Sequence, residues 1–196
     1  MERAYKVLLV DDHPIVRQGL AELISRESDM TVCGQAESAA MALELTEKSQ
    51  PDLALVDISL DDMNGLVLVK GLKSRQRNLR VLILSMHDEA LYAERALRAG
   101  AHGYIMKREA PTKVITGIRR VLAGDVYLSD DISARIMRKF ASGTDAADES
   151  PVARLSDREL EVYNHIGQGL KTSQIASKLN LSVKTIETYR EHIKEK

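Results

Sequence analysis

The stretch "KVLLVDD", Lys6–Asp12, decides the fold. Val7–Val10 is an unbroken apolar run, the pattern of a strand covered on both faces rather than on one. Two adjacent carboxylates, Asp11 and Asp12, end it. "LALVD", Leu53–Asp57, repeats the design and ends on a single carboxylate. Further strands are expected at Thr31–Ala36, Val81–Ser85 and Gly103–Ile105. Between them lie helical patterns near 14–26, 38–49, 64–74, 88–99 and 110–123. Apolar residues recur there at helical spacing, as in Leu91, Ala96, Leu97 and Ala99. Gly34, Gly65, Gly100 and Gly103 mark or flank the element ends. Five β–α units in about 125 residues predict an α/β fold, a flavodoxin-like, doubly wound (βα)5 parallel sheet with helices on both faces. The expected strand order is 2-1-3-4-5.

Past Gly124 the pattern changes, and the first domain is expected to span 1–124. Residues 125–152 read as a linker with a short amphipathic helix near 132–140, Ile132, Ile136 and Phe140 on one side. "ASGTDAADESP" follows without a large apolar residue and with Asp145, Asp148 and Glu149, a flexible acidic tether. Residues 153–196 are purely helical, so a second, smaller all-α domain is expected. "LSDREL" has the form of a capping box, Ser156 at the N-cap and Glu159 three residues on, with Leu155 and Leu160 placed for a hydrophobic staple. The first helix should end near "GQGL", where Gly167 or Gly169 can take the left-handed cap. A short helix from Thr172 buries Ile175, Ala176 and Leu179, and Ser182 caps a third. Two short helices joined by three or four residues form a helix-turn-helix pattern.

Bulk composition narrows the function classes. The 196 residues hold 28 Lys plus Arg and 29 Asp plus Glu, so charge must be weighed by segment. Residues 151–196 carry eight bases and six acids, a mild positive bias that gathers toward the end. No apolar run approaches the ~20 residues of a membrane span, and no secretory signal is visible, so a cytoplasmic protein is expected. Cys33 is the only cysteine and excludes an internal disulfide or a multi-cysteine zinc site. The five histidines show no metal spacing. His13 is placed to cap the first helix.

The carboxylates carry the chemistry. In an open doubly wound sheet, ligands bind beyond the carboxyl ends of strands. With the first and third strands adjacent, Asp11, Asp12 and Asp57 converge. Three ionised carboxylates repel one another and call for a cation, and an all-oxygen set suits Mg²⁺. Ser85 ends the fourth strand and Lys107 follows the fifth, so both reach the same pocket. A metal held by carboxylates, a further carboxylate, a hydroxyl and an ammonium suit phosphoryl transfer to a carboxylate, giving a labile acyl phosphate.

The motifs "LLVDDHPIVRQGL", "PDLALVDISLDDMNG", "LILSMHDE" and "ALRAGAHGYIMK" resemble the receiver domain of bacterial two-component response regulators. "LSDRELEVYNHIGQGLKTSQIASKLNLSVKTIETYREHIKEK" resembles the LuxR/NarL-type DNA-binding domain. The resemblance implies that Asp57 takes phosphate from a sensor histidine kinase. It implies a Mg²⁺ site made by Asp12, Asp57 and the Ser59 carbonyl, with Asp11 assisting. Ser85 and Tyr104 match the switch positions, whereas Ser59 and His87 match positions that tune dephosphorylation. Arg108 replaces the proline common after Lys107, so no cis peptide is expected there. The third helix of the second domain becomes a recognition helix for double-stranded DNA in the major groove. Ile186, Tyr189 and Ile193 pack inward, and Lys184, Thr185, Glu187, Thr188, Arg190 and Glu191 stay outward or flanking. The expected function is a phosphorylation-controlled transcription regulator, dimeric in its full-length phosphorylated form, and not a turnover enzyme. A phosphohydrolase of the haloacid-dehalogenase type would carry a second aspartate where Ser59 stands. The family normally continues past Lys196 into a fourth helix, so a truncated, less stable and poorly dimerising DNA-binding module is expected.

Overall fold

A computed structural model of the chain describes residues 3–142 and 151–196. Five strands, β1 (Tyr5–Val10), β2 (Met30–Ala36), β3 (Leu53–Val56), β4 (Arg80–Ser85) and β5 (Gly103–Met106), form one parallel sheet in the order β2-β1-β3-β4-β5. They alternate with α1 (Pro14–Ser25), α2 (Ala39–Ser49), α3 (Gly65–Arg75), α4 (Glu89–Ala99) and α5 (Ala110–Ala123). The doubly wound order expected from the strand runs is therefore the one found. Val7, Leu9, Leu53, Leu55, Leu82 and Leu84 share one sheet face with Leu20 and Ile24 of α1 and Val114, Ile118 and Val121 of α5. Leu8, Ala54 and Ile83, the alternate residues, are also buried, and α2, α3 and α4 complete the other side. Each fully buried Leu, Ile or Val stabilises the sheet by about 1.5–3 kcal/mol, so the apolar runs fix register and sidedness together.

The chain divides into two compact units, Met1–Ile136 and Met137–Lys196. The first continues past Gly124. Tyr127 pairs with Gly103 in parallel, the Tyr104 N–H donating to the Tyr127 carbonyl at 2.8 Å and the Tyr127 N–H to the His102 carbonyl at 3.0 Å. Residues 125–129, expected as linker, thus extend the β5 edge. The helix expected near 132–140 is α6 (Asp130–Ser142), longer at both ends, with Ile132 buried but Phe140 85% exposed. The acidic tether with Asp145, Asp148 and Glu149 lies outside the described residues. Cys33 is only half-buried in β2, its thiol 3.5 Å from the Ser49 hydroxyl.

The second unit contains α7 (Asp157–Gly167), α8 (Thr172–Lys178) and α9 (Val183–Glu195) around Val162, Ile175, Ala176 and Ile186. Ser156 and Glu159 form the capping box, with the Ser156 N–H donating to Glu159 Oε2 at 2.7 Å. Gly169 takes the left-handed conformation at φ 80°, and Asn180 at φ 52° turns the chain between α8 and α9. No described helix is long and apolar enough to cross a membrane.

Candidate functional site

The acidic pocket is built by strand ends. Val10 and Val56 are register partners, and the Asp57 N–H donates to the Val10 carbonyl at 2.8 Å. Asp11 and Asp57 therefore leave the sheet side by side. Lys107, directly after β5, sets Nζ 2.7 Å from Asp11 Oδ2 and 2.7 Å from Asp57 Oδ2, with those carboxylates only 3% and 2% exposed. Burial pushes the Asp57 carboxyl above its ordinary range, while Lys107 pulls it the other way. For Lys107 burial works to lower the pKa, but Asp57 and Asp11 outweigh it and hold the ammonium charged.

One ammonium does not balance three carboxylates. Asp57 Oδ1 is a buried atom without a hydrogen-bond partner, while Asp11 Oδ2 has only Lys107 and Asp12 Oδ1 only the His13 ring beside it. The Asp57 oxygen costs about 1–3 kcal/mol or more if left so. One oxygen from each aspartate and one ring nitrogen of His13 lie within 4.8 Å of one another. Three carboxylates this close, one with an unpartnered buried oxygen, fit a divalent cation, and the oxygen donors fit Mg²⁺. His13 departs from expectation twice. It stands at the N-cap of α1 but makes no side-chain cap bond, and it joins the candidate metal cluster that its spacing did not suggest.

The loop after Asp57 is held by close packing. The Gly65 N–H donates to the Ile58 carbonyl at 2.8 Å, and Asn64 caps α3 by accepting the Leu66 N–H at 2.9 Å. A Cβ on Gly65 would lie 2.2 Å from the Asp57 carbonyl oxygen and 2.6 Å from Ile58 Cα. Only glycine lets α3 begin there.

Ser85 is fully buried, and its Oγ accepts the His87 N–H at 3.1 Å. The Tyr104 hydroxyl donates to the His87 carbonyl at 2.9 Å, and the ring is 1% exposed. Burial raises the pKa of that hydroxyl. Tyr104 thus occupies an inward position, tied to the turn that Ser85 begins. The His87 ring stacks on Tyr92 at 4.6 Å between centroids, and its Nε2 lies 2.9 Å from the Ser59 hydroxyl. Ser59 and His87, singled out separately in the sequence, are joined across two loops. All the described peptide bonds are trans, including Lys107–Arg108.

In the second unit, Lys184, Glu187, Thr188 and Glu191 are exposed on α9, and Thr185 and Arg190 are half-buried. Ile186 is buried, and Tyr189 and Ile193 pack partly buried against the core. Ser182 Oγ accepts the Thr185 N–H at 3.0 Å, and the Thr188 hydroxyl donates to the Lys184 carbonyl at 3.1 Å. Glu159 binds the two ends of the unit together. Burial opposes its ionisation, but Lys196 and the Ser156 N–H overcome this and hold its pKa at about 2.

A response regulator receiver domain matches residues 7–119, and the luxR family of bacterial regulatory proteins matches residues 153–196. The chain belongs to the LuxR-type response regulators. Among its relatives, the DNA-binding transcriptional activator DevR/DosR of Mycobacterium tuberculosis is 36% identical, covering 94% of this chain and 84% of its own. The nitrate/nitrite response regulator NarL of Escherichia coli is 31% identical over 97% and 88%. The structure of RcsB from Salmonella enterica serovar Typhimurium, bound to promoter rprA with the phosphomimetic BeF3⁻, superposes with a TM-score of 0.69 at 25% identity, over 97% of this chain and 91% of that one.

In this response regulator the meeting of Asp11, Asp12, Asp57 and Lys107 was legible in the sequence, and Ser85 ends β4 as expected, with its Oγ on the turn at His87. Gly65 as a contact residue, His13 as a member of the cluster and the Ser59–His87 bond were not. The one local signal for His13 was its place directly after two carboxylates.

Proposed function

We propose that Asp57 accepts a phosphoryl group from a sensor histidine kinase and that this controls sequence-specific DNA binding by the second unit. The observation that carries the reading is the Asp57 carboxylate, 2% exposed, with one oxygen on Lys107 and the other unpartnered beside Asp11 and Asp12. An Asp57 oxygen attacks phosphorus as the N–P bond of a phosphohistidine breaks. The imidazole leaves with the bonding electron pair, and an acyl phosphate forms. Mg²⁺, held by Asp11, Asp12, Asp57 and the Ser59 carbonyl, would offset charge on the phosphoryl oxygens. Lys107 stands ready to neutralise the same charge, and Ser85 to donate to a phosphoryl oxygen. Tyr104 then holds the turn at His87 in one position, and Ser59 with His87 sets water access and so the lifetime of the phosphate. The chain modifies itself and turns over no separate substrate.

On α9, Lys184, Thr185 and Arg190 meet phosphates, and Glu187, Thr188 and Glu191 face base edges in the major groove. Phosphorylation biases a two-state equilibrium by about 1–3 kcal/mol toward a homodimer on two-fold-related half-sites, in the cytoplasm. Incubation with acetyl phosphate or phosphoramidate and Mg²⁺, followed by intact mass, tests the acceptor. One phosphoryl mass is expected on the wild type and none on Asp57→Ala; labelling of that variant would refute the assignment.

A further inference from the structure

We propose that His13 is a metal ligand and that the acidic pocket takes a divalent cation of the zinc and nickel type in competition with magnesium. The inference rests on the reading that the pocket holds a divalent cation at all. His13 has the extended N-cap backbone of α1, φ −86° and ψ 109°, yet its side chain makes no capping bond. An N-cap side chain of the usual kind turns to the free N–H groups of the first helical turn. This imidazole turns to the carboxylates, its Nδ1 2.6 Å from Asp12 Oδ1 and 3.2 Å from Asp11 Oδ1.

Two independent features point to a cation there. Asp57 Oδ1 is buried without a hydrogen-bond partner, on a residue that is 2% exposed. One nitrogen and three carboxylate oxygens also lie within 4.8 Å of one another. One ion at metal–ligand distances of about 2.0–2.2 Å bridges such a set after small side-chain rotations. His13 has room for its share, because its side chain is 63% exposed. The oxygens alone call for a hard cation, and the imidazole changes the preference. Mg²⁺ favours oxygen and water, whereas imidazole suits zinc, nickel and copper, whose affinities for mixed nitrogen and oxygen sites rise along the first transition row. The rival role for His13 is to donate its Nδ1–H to Asp12 and orient that carboxylate from outside the coordination sphere. The two roles differ in whether a ring nitrogen bonds the metal.

Long-range ¹H–¹⁵N spectra of the imidazoles separate them, recorded on the full chain without a phosphodonor while zinc is added. The His13 ring nitrogens, assigned by their absence in His13→Ala, should move first and saturate at one zinc per chain. Excess magnesium should reverse the change. Zinc that binds while those nitrogens stay in place overturns the inference, as does earlier movement of His87, His102, His165 or His192. Calorimetry supplies a second arm, in which the ratio of nickel to magnesium affinity falls roughly tenfold or more in His13→Ala. An unchanged ratio overturns the inference too. Failure of magnesium to bind the wild type would instead sink the reading of the pocket as a phosphoryl-acceptor site, so the two failures are distinguishable.

Discussion

Gly65→Ala tests whether the loop after Asp57 is fixed by packing. The new Cβ would sit 2.2 Å from the Asp57 carbonyl oxygen and 2.6 Å from Ile58 Cα, both backbone atoms that have no rotamer to yield. Either α3 or the Asp57–Ile58 peptide must shift by about 1 Å, since interiors are close-packed. Overpacking of that kind costs about 1–3 kcal/mol. A misplacement of about 1 Å at a reacting group costs on the order of a hundredfold in rate. Acetyl phosphate labelling with Mg²⁺, followed by intact mass over time, should therefore slow by about two orders of magnitude. The urea midpoint of the first unit, followed by far-UV circular dichroism, should drop as well. Gly19→Ala is the control, because a Cβ there meets nothing within 4 Å on an exposed turn of α1. That change should raise stability by about 0.5–1 kcal/mol through helix propensity. Labelling of Gly65→Ala within threefold of wild type, with an unmoved midpoint, would refute the reasoning, as would the two alanines shifting the midpoint in the same direction.

His102 predicts an acid-sensitive first unit. Its Nδ1 accepts the Val81 N–H at 3.2 Å, and burial, with Lys73 and Arg80 nearby, pushes its pKa from 6.5 down to about 4. The unfolded chain then binds more protons than the folded one between those values, so stability is full above pH 6.5 and is lost as pH falls toward 4. After discounting for its partial exposure, the loss is on the order of 1–2 kcal/mol. His102→Gln should flatten the dependence in denaturation measured at pH 7 and pH 4.5, and an acid slope equal to wild type would count against it. Ser156→Ala removes the N-cap acceptor of Glu159 N–H and should cost the second unit about 1 kcal/mol. A transition of that unit unchanged in temperature would show that Glu159 alone holds the end of α7.

What could be read in advance follows from how each residue reaches its place. Strand ends are set by apolar runs, and a doubly wound sheet sends successive strand ends to one edge. Asp11, Asp57, Ser85 and Lys107 needed only that rule, although Asp57 and Lys107 are 50 residues apart. The α9 face needed only the 3.6-residue period and the Ser182 cap. The Ser59–His87 bond spans 28 residues and depends on the paths of two loops, which no period encodes. The boundary at Gly124 was misleading for a related reason. Gly124 is a left-handed cap at φ 102° and ends α5 as its sequence suggests. The chain beyond it re-enters the sheet edge because β5 still had unpaired N–H and C=O groups to satisfy.

That return ties the acidic pocket to the start of α6. Ser85 Oγ holds the His87 N–H, and Tyr104 holds the His87 carbonyl. Two residues on, Glu89 is 8% exposed at the first turn of α4, and its Oε1 accepts the Ser129 N–H at 2.9 Å, 40 residues away in sequence. Ser129 Oγ in turn accepts the Ile132 N–H at 3.4 Å, and Arg135 reaches the Ala90 carbonyl. A buried acceptor and a backbone N–H are costly to separate, because each is then left unsatisfied. Movement of the β4–α4 turn must therefore carry residues 129–135 with it or give up the Glu89 bond. The turn that a phosphoryl group on Asp57 would touch and the first turn of α6 are mechanically one piece of the first unit. Residues 129–135 are thus hydrogen-bonded to the start of α4, and a displacement of that turn should be read out there.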